Sequence, residues 1–343
     1  MSAYVSGSLG RGWRIAVFVL LPVILLCVMC LSIGFGATDV DLLSAIRGDA
    51  VLDRLILLHE RLPRTILAAL VGASLSVSGL AFQAVLRNPL ADPFIIGVAG
   101  GAAVGGTVAM LLPIGAVIGA WGTPVMAFIF GLGTLALTYR LSRDRSGRMR
   151  AYEVLLIGVV FNTFASAVIL ILKVLVNAQK VQEMLLWLMG SLSSEIRGPW
   201  AIGVTFLITL VASIMIYRVT PALNALALGE EAAASVGVDA NRVTRVVFVA
   251  GSMLVASAVS VAGLIGFVGL IVPHATRLLL GADLRRNLPA AALLGAAFLV
   301  AADLLARVLF PVFETEAPVG VFTALIGGPL FVWLLRREMG GLR

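Results

Sequence analysis

Ten long apolar segments run through this chain, at 15–33, 64–86, 94–112, 115–139, 154–176, 200–219, 243–266, 270–280, 289–310 and 319–335. Most approach the roughly 20 residues that a helix needs to cross a bilayer. In lipid each backbone group must be bonded within the protein, so such runs are read as helices. The sequence therefore predicts an all-α polytopic membrane protein with about ten transmembrane helices. The run at 270–280 is too short for a simple crossing. It is expected to begin in an irregular or re-entrant stretch around Gly266–Pro273.

Within this pattern one element occurs twice. SVSGLAFQAVLRNPLADPFIIG at 76–97 and SVAGLIGFVGLIVPHATRLLLG at 260–281 share a constant offset of 184. The offset pairs Ser76 with Ser260, Gly79 with Gly263, Leu86 with Leu270, Pro89 with Pro273 and Gly97 with Gly281. A duplicated membrane element points to a transporter. Five spans per half is an odd number, so the two halves are predicted to be inverted. One domain covers 1–343, with halves at about 1–180 and 190–343.

Charge gives the orientation. With the N-terminus inside, 17 of the 25 Lys and Arg residues fall on the inner side and 8 on the outer. The densest cluster is SRDRSGRMR at 142–150. This asymmetry predicts both termini in the cytoplasm. The outer loop at 34–63 carries Asp39, Asp41, Asp49, Asp53 and Glu60 and reads as a folded aqueous segment. The net charge of +7 is not a nucleic-acid signal, because the arginines cluster between apolar runs and lack interleaved aromatics.

Some functions are not signalled. No GxxxxGK[ST] occurs, so the chain carries no P-loop for ATP. No HExxH or GxSxG occurs either. Cys27 and Cys30 lie within the first apolar run, without a second Cys or His pair to complete a metal site. Gly97, Gly101 and Gly105, four residues apart, predict close helix packing.

Longer motifs carry a family resemblance. RLPRTILAALVGASLSVSGLAFQAVLRNPLADPFIIGVAGG at 61–101 closely resembles the permease subunit of bacterial ABC importers for iron-siderophores, haem and cobalamin. So do GLIGFVGLIVPHATRLLLGADLRRNLPAAALLGAAFLVAADLLAR at 263–307 and EAPVGVFTALIGGPLFVWLLRR at 316–337. The resemblance covers nearly the whole chain from residue 61. It implies a multi-pass permease of a bacterial inner membrane, working as two copies with two cytoplasmic ATPase subunits and a periplasmic substrate-binding protein. It implies no intrinsic cofactor, since ATP and Mg are bound by the partner ATPase. The cargo it implies is a metal chelate, with haem placed ahead of ferric siderophore and cobalamin. The remaining partner is membrane lipid.

The resemblance also implies sites. Arg61, Arg64 and Arg307 match positions that dock the binding protein, where charge complementarity would orient the encounter. Arg61 and Arg64 also suit interfacial snorkelling, and Arg307 an i,i+4 pair with Asp303. Asn88, Pro89 and Leu90 resemble the inner gate, with Ala151 and Tyr152 near its other side. The family often has small hydroxyl residues there, so Tyr152 departs from the pattern. The segment at about 221–239 resembles the ATPase-coupling segment. Within it Leu228, Gly229, Glu230, Glu231, Ala232, Ala233 and Gly237 are the residues that would dock. Asn162 either faces the pathway or bonds across helices, and Lys173 either meets an anionic chelate or snorkels. A self-contained secondary transporter is the alternative. It would need buried carboxylates for ion coupling, and Asp303 is the main candidate.

Overall fold

The computed structural model describes residues 11–36, 50–112, 119–143, 151–192, 199–309 and 317–340, with isolated positions between 38 and 47. The described chain is helical, without strands. Among the described residues seven helices are long and apolar enough to cross a membrane, and three shorter apolar helices accompany them. Helix α1 (Arg11–Gly34) comes first. Helix α2 (Val51–Leu55) passes through a π-helical turn at Ile56–Arg61 into α3 (Leu62–Val85). Next come α4 (Val98–Leu111), α5 (Gly122–Leu141) and α6 (Ala151–Val174). Helix α7 (Ala178–Leu188) is short, and α8 (Pro199–Ala227) is long. The last five are α9 (Glu230–Ser235), α10 (Ala240–Ala262), α11 (Val268–Leu280), α12 (Leu284–Val308) and α13 (Val319–Gly340).

Three sequence expectations are revised here. Part of the outer loop at 34–63 is helix: from Val51 the chain runs helically into the second span. The amphipathic α7, which buries Met184 and Trp187, lies outside the ten apolar runs and was missed. Helix α8 continues through Pro221 to Ala227, so the first part of the stretch at 221–239 belongs to a long helix. Proline at 221 removes the amide that would bond the Tyr217 carbonyl. The Thr220 hydroxyl donates to that carbonyl at 2.7 Å, which allows the helix to continue.

Helix α3 lies at the centre. It packs against α8, α10, α11 and α12, and Leu67, Val71, Leu75, Val77, Leu80 and Phe82 are all fully buried along it. Two of its contacts are made backbone to backbone. A Cβ placed on Gly72 would overlap the carbonyl of Gly295 in α12, and one on Gly79 the carbonyl of Gly269 in α11. Small residues let membrane helices approach this closely. Glycine spacing works the same way in α4, where a Cβ at Gly101 or Gly105 would strike Thr134 or Met126 of α5. Helix α1 is peripheral, packed on α12, with Leu20, Leu26, Cys27 and Cys30 exposed.

The two repeat copies do not keep their sequence register in space. Pro89 lies in the turn after α3, whereas its partner Pro273 lies inside α11. In the second copy the break comes earlier, at 263–267, where Gly263 and Phe267 both have φ of +68°. Pro273 leaves the Gly269 carbonyl without its helical donor. Gln83 of α3 supplies one, donating to Gly269 at 3.1 Å. The expected irregular stretch is therefore present, but it ends at Phe267.

Replacing Gly295 by Val forces a side chain into the α3–α12 backbone contact. The loss is expected to be about 3 kcal/mol, at the upper end of overpacking effects. Thermal unfolding in detergent should show it, while Gly203→Val, at a position with open space around the added carbon, should leave the midpoint unchanged.

Candidate functional site

The turn from Leu86 to Gly97 is built from main-chain capping. The amide of Asn88 donates to the Gln83 carbonyl at 3.2 Å and that of Arg87 to Ala84 at 3.3 Å. This is the Schellman pairing that closes a helix, and it needs a left-handed residue usually supplied by glycine. Here the residue is Arg87, at φ +49°. A non-glycine residue there costs about 1–2 kcal/mol. Pro89 follows and prevents the helix from resuming. The Asn88 carboxamide accepts from the Leu90 amide at 2.9 Å, and the Asp92 carboxylate accepts from Phe94 at 2.8 Å. Leu90 is left 41% exposed, at the tip of a turn whose shape is fixed by its own backbone.

The strained arginine has a partner. The Arg87 guanidinium lies 3.6 Å from the Glu230 carboxylate. Glu230 opens α9, which begins after Gly229 at φ +128° and closes at Gly237 at φ +78°. The Val238 amide donates to Ala233 and the Gly237 amide to Ala234, both at 3.0 Å, a second Schellman closure. Ala233 is buried and fixes the helix to the body. Leu228 and Val236 are 81% and 68% exposed at its two ends, and Glu230, Glu231 and Ala232 are also exposed. The structure thus joins the expected gate turn to the expected coupling helix by an ion pair, a link the sequence did not reveal.

The other predicted positions are distributed as follows. Asn162 of α6 donates to the Phe94 carbonyl at 2.8 Å. It bonds to the turn rather than to another helix, tying α6 to the far end of the 86–97 turn. Close packing of Gly158 on Ile95 and Ile96 reinforces that contact. Ala151 and Tyr152 open α6. The side chain of Ala151 is outside the described residues, and Tyr152 is 73% exposed. Lys173 lies half-buried in the last turn of α6.

Arg61, Arg64 and Arg307 are gathered at one end of the molecule but turned inward, at 5%, 4% and 4% exposure. The Arg61 guanidinium donates to the Ile33 and Gly34 carbonyls at 3.0 and 2.7 Å and also to Thr38. It holds the carbonyl end of α1. Arg64 pairs with Asp303 of α12 at 2.8 Å. Arg307 approaches the other Asp303 oxygen at 3.0 Å, out of hydrogen-bond alignment. It also donates to the Ser32 carbonyl at 3.0 Å and to the Ser32 hydroxyl. Snorkelling is therefore not what occupies Arg61 and Arg64, whereas the i,i+4 pairing of Arg307 is present. Asp303, the carboxylate proposed for ion coupling, is fully buried between two guanidiniums. An apolar cavity of about 410 Å³, lined by Leu188, Met189, Leu264, Gly320, Val321 and Leu325, lies beside the 263–267 break. Sequence reading did not find it, because its walls come from α7, the break and α13.

Asp303→Asn removes the charge that two buried guanidiniums face. Breaking such a pair on one side costs on the order of 3–5 kcal/mol. Thermal unfolding should show a large drop, and the variant with Arg64→Met, Asp303→Leu and Arg307→Met together should lose much less. Asp92 gives a pH effect. Burial outweighs its bond to the Phe94 amide and pushes its pKa from 3.8 to about 6. Below 3.8 the carboxyl is protonated whether the chain is folded or not. As pH rises from 3.8 to about 6 the unfolded chain gives up this proton while the folded chain keeps it, so stability falls by about 3 kcal/mol and levels off once both states are ionised. Unfolding followed from pH 4 to pH 8 should show this decline, and Asp92→Asn should flatten it.

Comparison with known proteins agrees with this architecture. The FecCD transport family model matches residues 6–337. The cobalamin import system permease BtuC of Halobacterium salinarum is 43% identical over 284 residues, covering 82% of this chain and 74% of its own. The hemin transport system permease HmuU of Yersinia pestis is 38% identical over 286 residues, covering 82% and 84%. A solved metal-chelate type ABC transporter in an inward-facing conformation superposes with a TM-score of 0.82 at 31% identity, covering 94% of this chain and 99% of that one. The overall fold of the chain is thus shared with that transporter. The chain belongs to the FecCD transport family and is a multi-pass ABC-importer permease.

Proposed function

We propose that this permease carries a metal chelate inward across a bacterial inner membrane, with both termini in the cytoplasm, and that a partner ATPase drives it through α9. The observation that carries the reading is the Arg87–Glu230 pair. It brings Arg87, at the start of the 86–97 turn, close to Glu230, at the start of the surface helix. Displacing α9 then pulls on a turn that has little internal slack. The exposed Leu228 and Val236 at the ends of α9 suit an apolar groove on an ATPase.

Leu90 and Tyr152 project outward from this chain, so the gate closes against a second copy rather than within one. A periplasmic binding protein docks at the end that carries Arg61, Arg64 and Arg307. Because those side chains are bonded internally, docking there requires them to turn out toward the partner's carboxylates. Lys173 is the candidate for meeting an anionic chelate. Haem is the first cargo to test, followed by ferric siderophore and cobalamin, in keeping with the largely apolar lining beside the 263–267 break. Relatives that carry hemin and cobalamin support the chelate class without ranking its members.

The test is a complex reconstituted in proteoliposomes with its ATPase and binding protein, offered haem, a ferric siderophore and cobalamin in turn. One chelate should stimulate ATP hydrolysis and accumulate inside; failure of all three overturns the cargo class. In the same assay Glu230→Arg should lower transport per ATP. The pair is exposed, so the loss should not exceed about fivefold. Adding Arg87→Glu should restore it, and a single variant that transports like the parent would remove the pair from the mechanism.

A further inference from the structure

A second charged site lies between the inner ends of α8 and α10. A cavity of about 500 Å³ there is lined by Met215, Arg218 and Val219 on α8 and by Asp239, Arg242 and Val246 at the start of α10. Its lining is of two kinds. Arg218 and Arg242, both exposed, come from different helices and line the same cavity. Met215, Val219 and Val246 supply apolar lining. Asp239 is the one carboxylate in the lining. One of its oxygens accepts from the Asn241 and Arg242 amides at 2.9 and 3.2 Å, so that carboxylate caps α10.

The level of the cavity in the membrane follows from the sequence. The apolar run of α8 ends at Val219, and that of α10 begins at Val243. Both arginines therefore sit at the boundary between hydrocarbon and water. Tyr217, beside Arg218, is 49% exposed, as suits an aromatic at that depth. Away from the arginines the surface continues as exposed apolar side chains: Ile214, Val211 and Leu210 on α8, and Val249 on α10, each 42–49% exposed.

We infer that this cavity binds the headgroup of an anionic phospholipid, with the phosphate between Arg218 and Arg242 and an acyl chain along the apolar strip. Guanidinium forks match phosphate oxygens geometrically. A free anion would use the arginines but not the strip, and a neutral lipid would use the strip but gain less from the arginines. Gly237 and Val238, which join α9 to α10, also line the cavity. An occupied site therefore braces the base of the surface helix.

The test uses the full chain in detergent, titrated with phosphatidylglycerol or phosphatidylcholine and read by native mass spectrometry. Phosphatidylglycerol should be retained about tenfold better. Arg218→Gln with Arg242→Gln should abolish that preference while the size-exclusion profile stays unchanged. Arg285→Gln, another exposed arginine on the inner side, should leave it intact. The inference is overturned if the double variant keeps the preference, if Arg285→Gln removes it equally, or if millimolar inorganic phosphate displaces the lipid. It is also overturned if cross-linking in the assembled complex places an acidic segment of the ATPase in the cavity.

Discussion

Contact between α3 and its neighbours at backbone distance is the constraint on which the rest of the molecule depends. In lipid, apolar side chains gain little by leaving the solvent, so helices associate through close packing and polar bonds. Helix α3 does both. Gly72 and Gly79 bring it against the carbonyls of Gly295 and Gly269. Gln83, one turn further on, bonds the carbonyl that Pro273 leaves free. The proline creates an unsatisfied acceptor, and the neighbouring helix is positioned to satisfy it. That bond lies only a few residues before the turn at Asn88–Leu90, so the turn proposed as the gate follows a firmly anchored helix end.

At the opposite end of α3 the fixing is ionic. Arg64 and Arg307 converge on Asp303, while Arg61 and Arg307 hold the carbonyls at the end of α1. This joins α1, α3 and α12 at one level. It also changes how these arginines are understood. Their number and location suggest a docking surface, but in the folded chain they are internal fasteners. Any partner that engages them must compete with bonds already made. Under the function proposed above, such competition offers a physical route for docking at one face to loosen a helix whose other end leads into the proposed gate.

Much of this was legible in the sequence, and the exceptions have identifiable causes. The apolar runs placed the spans because membrane helices are set by length and hydropathy, both local properties. The glycine spacing in α4 correctly predicted close packing. The repeat was real in sequence, but its register misled. Pro89 lies in the turn beyond a closed helix end in one copy, while Pro273 is accommodated within a helix, where Gln83 bonds the freed Gly269 carbonyl. Residues 221–227 fall in the segment that the resemblance assigns to coupling, yet they continue α8, because Thr220 repairs the defect at Pro221. Helix α7 escaped because it is amphipathic and short. The Arg87–Glu230 pair escaped because 143 positions separate its members, and no local pattern marks such a contact.

The central claim is that the gate turn and the surface helix move as one unit. Spin labels at Leu90 and Leu228, after replacement of Cys27 and Cys30, give the distance between them by pulsed electron resonance in the assembled transporter. The account predicts that this distance within one chain stays constant between nucleotide-free and ATP-bound states, while the Leu90-to-Leu90 distance across the two copies changes. A Leu90–Leu228 distance that shifts as much as the gate itself would contradict it.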